Sequence, residues 1–220
     1  MSDIRAKCDE IRNSIPPGVT LVAATKGRTV EEILEAAESG VEIAGENYVQ
    51  EAVRKYSEIG DGVKWHMIGH LQRNKVRDVL RVFDCIQSVD SLRLAKEIDR
   101  QCERTGKVMQ VLLEINIAGE ENKYGISPEE LPNMLQQMAV LPNLQVNGLM
   151  TMEPYFDDPE DSRPYFKRMK RLFDEARSYD IPNAEIGILS MGMSNSYQVA
   201  IEEGSNMVRV GTRLFGPRPH

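Results

Sequence analysis

A closed (β/α)8 TIM-type barrel in the α/β class is the fold this sequence predicts, on three observations. Eight short runs rich in β-branched and other apolar residues alternate with helical patterns. No internal repeat or low-complexity tract interrupts that alternation. The length, 220 residues, suits one barrel-sized unit over residues 1–220 and is short for two. An open doubly wound sheet would share the same local pattern, but no GxGxxG follows the first strand run, which disfavours its dinucleotide-binding version.

Taken in order, Ile4, Cys8, Ile11 and Ile15 form an apolar helical stripe ahead of the first strand run, VTLVAA. Thr29 and Glu32 then form a T-x-x-E capping box for a helix carrying Ile33, Leu34 and Ala37, and Gly40 suits its left-handed C-terminal position. The runs VEIAG, VKWHMIG, FDCIQSV and KVMQVLLEIN read as further buried strands. Ser127, Pro128 and Glu130 supply cap, first-turn proline and reciprocal acid for a helix with Leu131, Met134, Leu135 and Met138 inward. LQVNGLM follows, then a stripe of Tyr165, Phe166, Met169, Leu172, Phe173 and Ala176 through a charged stretch, and finally AEIGILS and NMVRVG.

Composition excludes several classes. The 27 basic against 34 acidic residues give −7, which opposes general attraction to nucleic-acid backbones. No apolar run approaches the roughly 18 residues of a membrane span, and MSDIRAKCDEIRNSI has no secretory apolar core, so a cytoplasmic location is expected. Cys8, Cys85 and Cys102 show no CxxC or metal spacing and read as reduced, packed thiols.

In either architecture chemistry belongs at the carboxyl ends of the strands. Lys26 follows VTLVAAT, where partial desolvation would favour the neutral amine that forms Schiff bases; a solvated lysine snorkelling past the strand end is the competing reading. Glu46 and Asn47 follow VEIAG, and Asn116 and Ser190 hold similar positions. SMGMSNS and VRVGTRLFGPR place Ser194, Gly211 and Thr212 at the loops after strands seven and eight, the recurring phosphate site of barrels. Against that, Gly192 and Gly211 could serve tight turns and Ser194 a helix cap. Arg209, inward on the last strand, needs an acceptor from a ligand ring or a buried pair with Glu114 or Glu46. His66 and His70 are four apart, a metal spacing only on a helix, and WHMIGH reads as strand into turn, so no metal site is expected. The Met residues of LMTME and LSMGMS read as packing, KRMKRLFDE as a solvated helix face and QRNKVR as a solvated helix start.

The segments LVAATK, AGENYVQEA, WHMIGHLQRNK, GLMTM and LSMGMSNSYQVAIEEGSNMVRVGTRLFG, in this order, resemble the YggS/PROSC family, the pyridoxal phosphate homeostasis proteins. The resemblance runs from the first strand to the C-terminus. It implies a single barrel like the N-terminal, cofactor-bearing domain of bacterial alanine racemases, without that enzyme's second domain, and pyridoxal 5′-phosphate (PLP) as cofactor. Lys26 matches the lysine that holds the cofactor as a Schiff base, Ser194, Gly211 and Thr212 the phosphate positions, Arg209 the arginine facing the pyridine nitrogen, and Asn47 the asparagine of the GENYVQE motif. Lys123 matches a further lysine of the family. Where the family often reads S-K-T-K-P, this chain has Thr25-Lys26-Gly27-Arg28-Thr29, so its second lysine is Arg28, which forms no Schiff base.

By that resemblance the protein is a PLP carrier or regulator in intracellular cofactor homeostasis rather than a conventional enzyme. PLP-dependent apo-enzymes would be its partners, with no nucleic acid or membrane, and a monomer is expected. An amino-acid racemase is the alternative, although two-base racemisation needs a group on each face of the carbanion. A Schiff-base phosphosugar aldolase ranks third.

Overall fold

The computed structural model describes residues 3–217. Strands β1 (Thr20–Ala24), β2 (Ile43–Glu46), β3 (Lys64–Met67), β4 (Cys85–Val89), β5 (Met109–Glu114), β6 (Leu144–Met150), β7 (Ala184–Ser190) and β8 (Met207–Val210) pair in parallel in chain order. The sheet closes on itself through β8 and β1, so the barrel expected from the alternation is the one formed and the open sheet is not. Val22 marks the closure: it stands level with Ile43 on one side and Arg209 on the other.

Around the barrel lie α1 (Asp3–Ser14), α2 (Val30–Glu38), α3 (Val49–Ile59), α4 (Val76–Val82), α5 (Leu92–Thr105), α6 (Leu131–Met138), α7 (Arg163–Ala176), α8 (Tyr197–Glu202) and α9 (Thr212–Phe215). The expected signals at α2 are present. Thr29 Oγ1 accepts from the Glu32 amide at 3.2 Å, Glu32 returns the bond to the Thr29 amide at 2.8 Å, and Gly40 takes φ +83° just past the helix. The Ser127–Glu130 capping box forms as well, but it opens a 3-10 turn over Pro128–Glu130 that leads into α6.

Two packing environments result. Alternate strand residues, with Trp65, Val111, Leu113, Val146 and Leu149 among them, join the inner helix faces in the main core, which Phe166, Met169 and Ile98 help to fill. The other set points into the barrel. Val22, Ile43, Ile68 and Met207 form one interior cluster, and Cys85, Leu112 and Met150 another. One alternation nearer the carboxyl end, Gln87, Glu114, Ser190 and Arg209 follow Cys85, Leu112, Ile188 and Met207, and the interior turns polar. All three cysteines are buried and unbridged.

Candidate functional site

At the carboxyl ends of β1, β2, β6, β7 and β8 a cavity of about 610 Å3 opens to solvent. Asn47, Ser194, Arg209, Gly211 and Thr212 all line it, together with Glu153, Tyr155, Phe156, Asn195 and Arg213. Five of the six cofactor positions expected from the sequence are thus gathered in one place. The sixth, Lys26, is not among the lining side chains. It extends β1 past Ala24, which does line the cavity, and its ammonium lies 4.7 Å from the centre of the exposed Tyr48 ring.

Arg209 is buried on β8. Nη1 donates to Ser190 Oγ at 2.6 Å and Nη2 to the Thr151 carbonyl at 2.7 Å. Among the described residues no carboxylate oxygen comes within 4.0 Å of it, so the buried ion pair with Glu114 or Glu46 does not form. Glu46 is on the far side of the barrel wall with Lys55. Burial pulls the guanidinium below its ordinary range, opposed by the fields of Glu153 and Glu114. Glu114 is itself pushed up to about 7, by burial first and by Asp90 next, with Arg209 acting the other way. An arginine keeps its proton even so, which leaves a positive charge at the cavity floor with neutral hydrogen-bond partners.

The turn after β7 supplies the hydroxyls. Gly192 adopts φ +95°, and a Cβ there would lie 2.5 Å from Ala200 Cβ, so only glycine lets the chain pass so close to α8. Ser196 Oγ accepts from the Met193 amide at 3.1 Å and donates to buried Glu153, which ties the turn to the segment after β6. Ser194 Oγ accepts from the Gly211 amide at 3.0 Å, which joins the loops after β7 and β8. That bond occupies the Gly211 amide expected to face a phosphate, whereas the Ser194 hydroxyl keeps its own proton for an incoming acceptor.

The backbone on either side of Lys26 is held by α3. Lys55 donates to the Thr25 carbonyl at 2.7 Å, to Glu51 at 2.8 Å and to Glu46; Thr25 Oγ1 donates to Glu46 at 2.7 Å, and the Gly27 amide to Glu51 at 2.6 Å. Burial outweighs these bonds at Glu46 and raises its pKa, while Lys55 and the Gly27 amide hold Glu51 below the usual carboxylate range against a smaller burial than that of Glu46. Arg28 points the other way. It forks onto the Phe215 and Gly216 carbonyls and pairs with Glu32, so it anchors the end of α9.

The other polar candidates separate. His66 lies inside the barrel on Gln87, while His70 stacks on Tyr124 at 3.6 Å and bonds Asp90 at 3.0 Å. No metal-binding group of three His, Cys, Asp or Glu side chains exists among the described residues. Lys123 forms an ion pair with Glu120, and Asn116 folds back on the Glu120 carbonyl. Sequence reasoning missed Glu153, Tyr155, Phe156 and Arg213 in the cavity wall. Arg213 had a signal in following Thr212 directly, whereas the loop after β6 has no periodicity to read.

The family model described as the alanine racemase N-terminal domain matches residues 1–219. A pyridoxal phosphate homeostasis protein of Aquifex aeolicus is 44% identical over 91% of this chain and 87% of its own length. Its counterpart in Escherichia coli is 36% identical over 100% and 99%. This chain belongs to the pyridoxal phosphate homeostasis protein family. Another protein, PipY of Synechococcus elongatus, solved with PLP bound, superposes with a TM-score of 0.89 at 34% identity over 97% of this chain and all of that one. The Clostridium difficile alanine racemase shares the barrel at TM-score 0.80 and 18% identity, with 56% of its own length covered. The residues present suit the family's cofactor: a buried guanidinium free of carboxylates and a serine hydroxyl with a proton to give share one cavity, with a lysine at its rim.

Proposed function

We propose that this protein binds PLP in the cavity at the carboxyl face and holds it covalently through Lys26, as part of PLP homeostasis in the cytoplasm. The observation that carries the reading is Arg209, a buried cation in the cavity lining whose hydrogen-bond partners are neutral and which has no carboxylate within 4.0 Å among the described residues. Ser194 and Thr212 would hold the phosphate, Asn47 would line the ring side, and Arg209 would face the pyridine nitrogen. The cofactor brings a reactive aldehyde and an electron-accepting ring. A guanidinium beside the ring nitrogen disfavours its protonation, which weakens that electron sink and suits storage over transamination. Among the relatives, those at 35–44% identity are named homeostasis proteins, whereas the alanine racemases stand at 16–19%. That contrast supports a carrier over a racemase; a monomer with PLP-dependent apo-enzymes as recipients belongs to the same proposal.

The test is the visible spectrum of the purified full chain with added PLP, followed by borohydride reduction and peptide mass spectrometry. A yellow protein with the reduced adduct on Lys26 supports the reading. A protein that stays colourless with excess PLP, or an adduct spread over surface lysines, overturns it.

A further inference from the structure

Beneath the cavity floor, four buried side chains from four different strands form one hydrogen-bonded row. Arg209 Nη1 meets Ser190 Oγ at 2.6 Å, Ser190 Oγ meets Gln87 Oε1 at 2.7 Å, and Gln87 Nε2 meets His66 Nδ1 at 2.9 Å. All four are buried, at 6% exposure or less. A second contact of Gln87 Nε2, to Met207 Sδ at 3.3 Å, lies on the same side of the amide.

The direction of the row follows from donor matching. Arginine only donates, so Ser190 Oγ must accept from it. The serine proton then has Gln87 as its partner. With the amide turned round, Ser190 Oγ would accept from both neighbours and its own proton would have no acceptor among the described residues. Gln87 therefore presents Oε1 to Ser190 and Nε2–H to His66, and His66 Nδ1 must carry a lone pair. Burial, with the nearby Lys64 charge, pushes the His66 pKa down to about 4, consistent with a neutral ring.

We propose that Gln87 and Ser190 are positioning residues for Arg209: with His66 they form a one-way relay that fixes the guanidinium at the cavity floor on neutral acceptors and holds His66 as the Nε2–H tautomer. The Thr151 carbonyl holds the other arm, so the guanidinium plane is fixed at two points while its charge stays uncancelled. A carboxylate in place of Ser190 or Gln87 would fix the same geometry and quench the charge. The purpose of the relay rests on the reading of the cavity as a PLP site; its hydrogen-bond direction does not.

Long-range proton–nitrogen correlation spectra of the full chain with labelled histidine, at pH 7 with and without PLP, test the relay directly. Only His66, His70 and His220 contribute, and His70→Gln and His220→Gln identify the remaining signal. A neutral His66 protonated on Nε2 is the expected result in both samples. Protonation on Nδ1, or a doubly protonated ring, overturns the relay. Gln87→Glu supplies the second readout: its carboxylate accepts where the amide donated, so the His66 proton moves to Nδ1 in a neutral ring at pH 7, and PLP affinity falls about tenfold as the uncompensated carboxylate quenches the Arg209 charge. If Gln87→Glu folds yet leaves both the His66 spectrum and PLP affinity unchanged, the positioning role fails. A protein with the expected tautomer that binds no PLP would retain the relay and lose the cofactor reading instead.

Discussion

Two buried cations lie on opposite sides of the barrel wall and are handled in opposite ways. Lys55, between the barrel and α3, touches two carboxylates, Glu46 and Glu51, and the Thr25 carbonyl. Arg209, inside the barrel, touches a hydroxyl and a carbonyl and no carboxylate. The first arrangement is closed: its charges answer one another and it clamps the chain on both sides of Lys26. The second is open, because a charge left with neutral partners attracts whatever acceptor enters the cavity. Removing a counter-charged group strands its partner, whereas removing Arg209 strands only neutral acceptors.

That contrast can be broken by substitution. Lys55→Met should have the largest effect, a loss of about 3–5 kcal/mol in urea unfolding, because it leaves Glu46 buried and uncompensated. A loss below about 1 kcal/mol would show that the cluster is not a working ion pair.

The pH dependence of stability comes next. Glu114, raised from 4.5 to about 7 in the fold, binds a proton that the unfolded chain has released, so stability falls as pH rises from about 4.5 to 7. His66, lowered from 6.5 to about 4, does the reverse: the unfolded chain takes up the proton first, so stability falls as pH drops from about 6.5 to 4. Between these limits the two slopes oppose each other. Glu114→Gln should therefore expose the histidine slope, a fall of roughly 2 kcal/mol from pH 6.5 to 4.5 that the unmodified protein does not show. Thermal unfolding across that range checks it, and equal slopes in both proteins would refute it.

Smaller again in stability is Arg209→Met, which should cost about 1–2 kcal/mol by leaving Ser190 and Thr151 short of a donor. Its effect on PLP titrations should be far larger, at least tenfold in affinity. A loss equal to that of Lys55→Met would erase the distinction between the two cations. Arg28→Lys sharpens the comparison from outside both clusters. Lysine cannot fork onto the Phe215 and Gly216 carbonyls, so about 1 kcal/mol should be lost in thermal unfolding with covalent attachment at Lys26 unchanged.

Much of this was legible in the chain. Strand runs announce themselves because every second residue faces the helices and the interior is apolar for most of its depth. Ser194, Arg209, Gly211 and Thr212 could be named because strand ends in this architecture converge on one face. Lys55 could not: within VQEAVRKYSEI it looks like part of a solvated helix face, and only its approach to Glu46 across the wall makes it buried. Lys26 was legible as a strand-end lysine, but not its rest on Tyr48, which comes from a neighbouring loop.

Local pattern alone therefore determined the eight strands, the capped helices and which residues end each strand, because periodicity and capping act over a few positions. Which polar groups meet was decided by closure of the barrel. Strands β3, β4, β7 and β8 bring His66, Gln87, Ser190 and Arg209 into one row although 143 positions separate its ends. Spacing along a chain fixes the side of the wall on which a side chain lies, but its partner there depends on the register and curvature of the whole sheet.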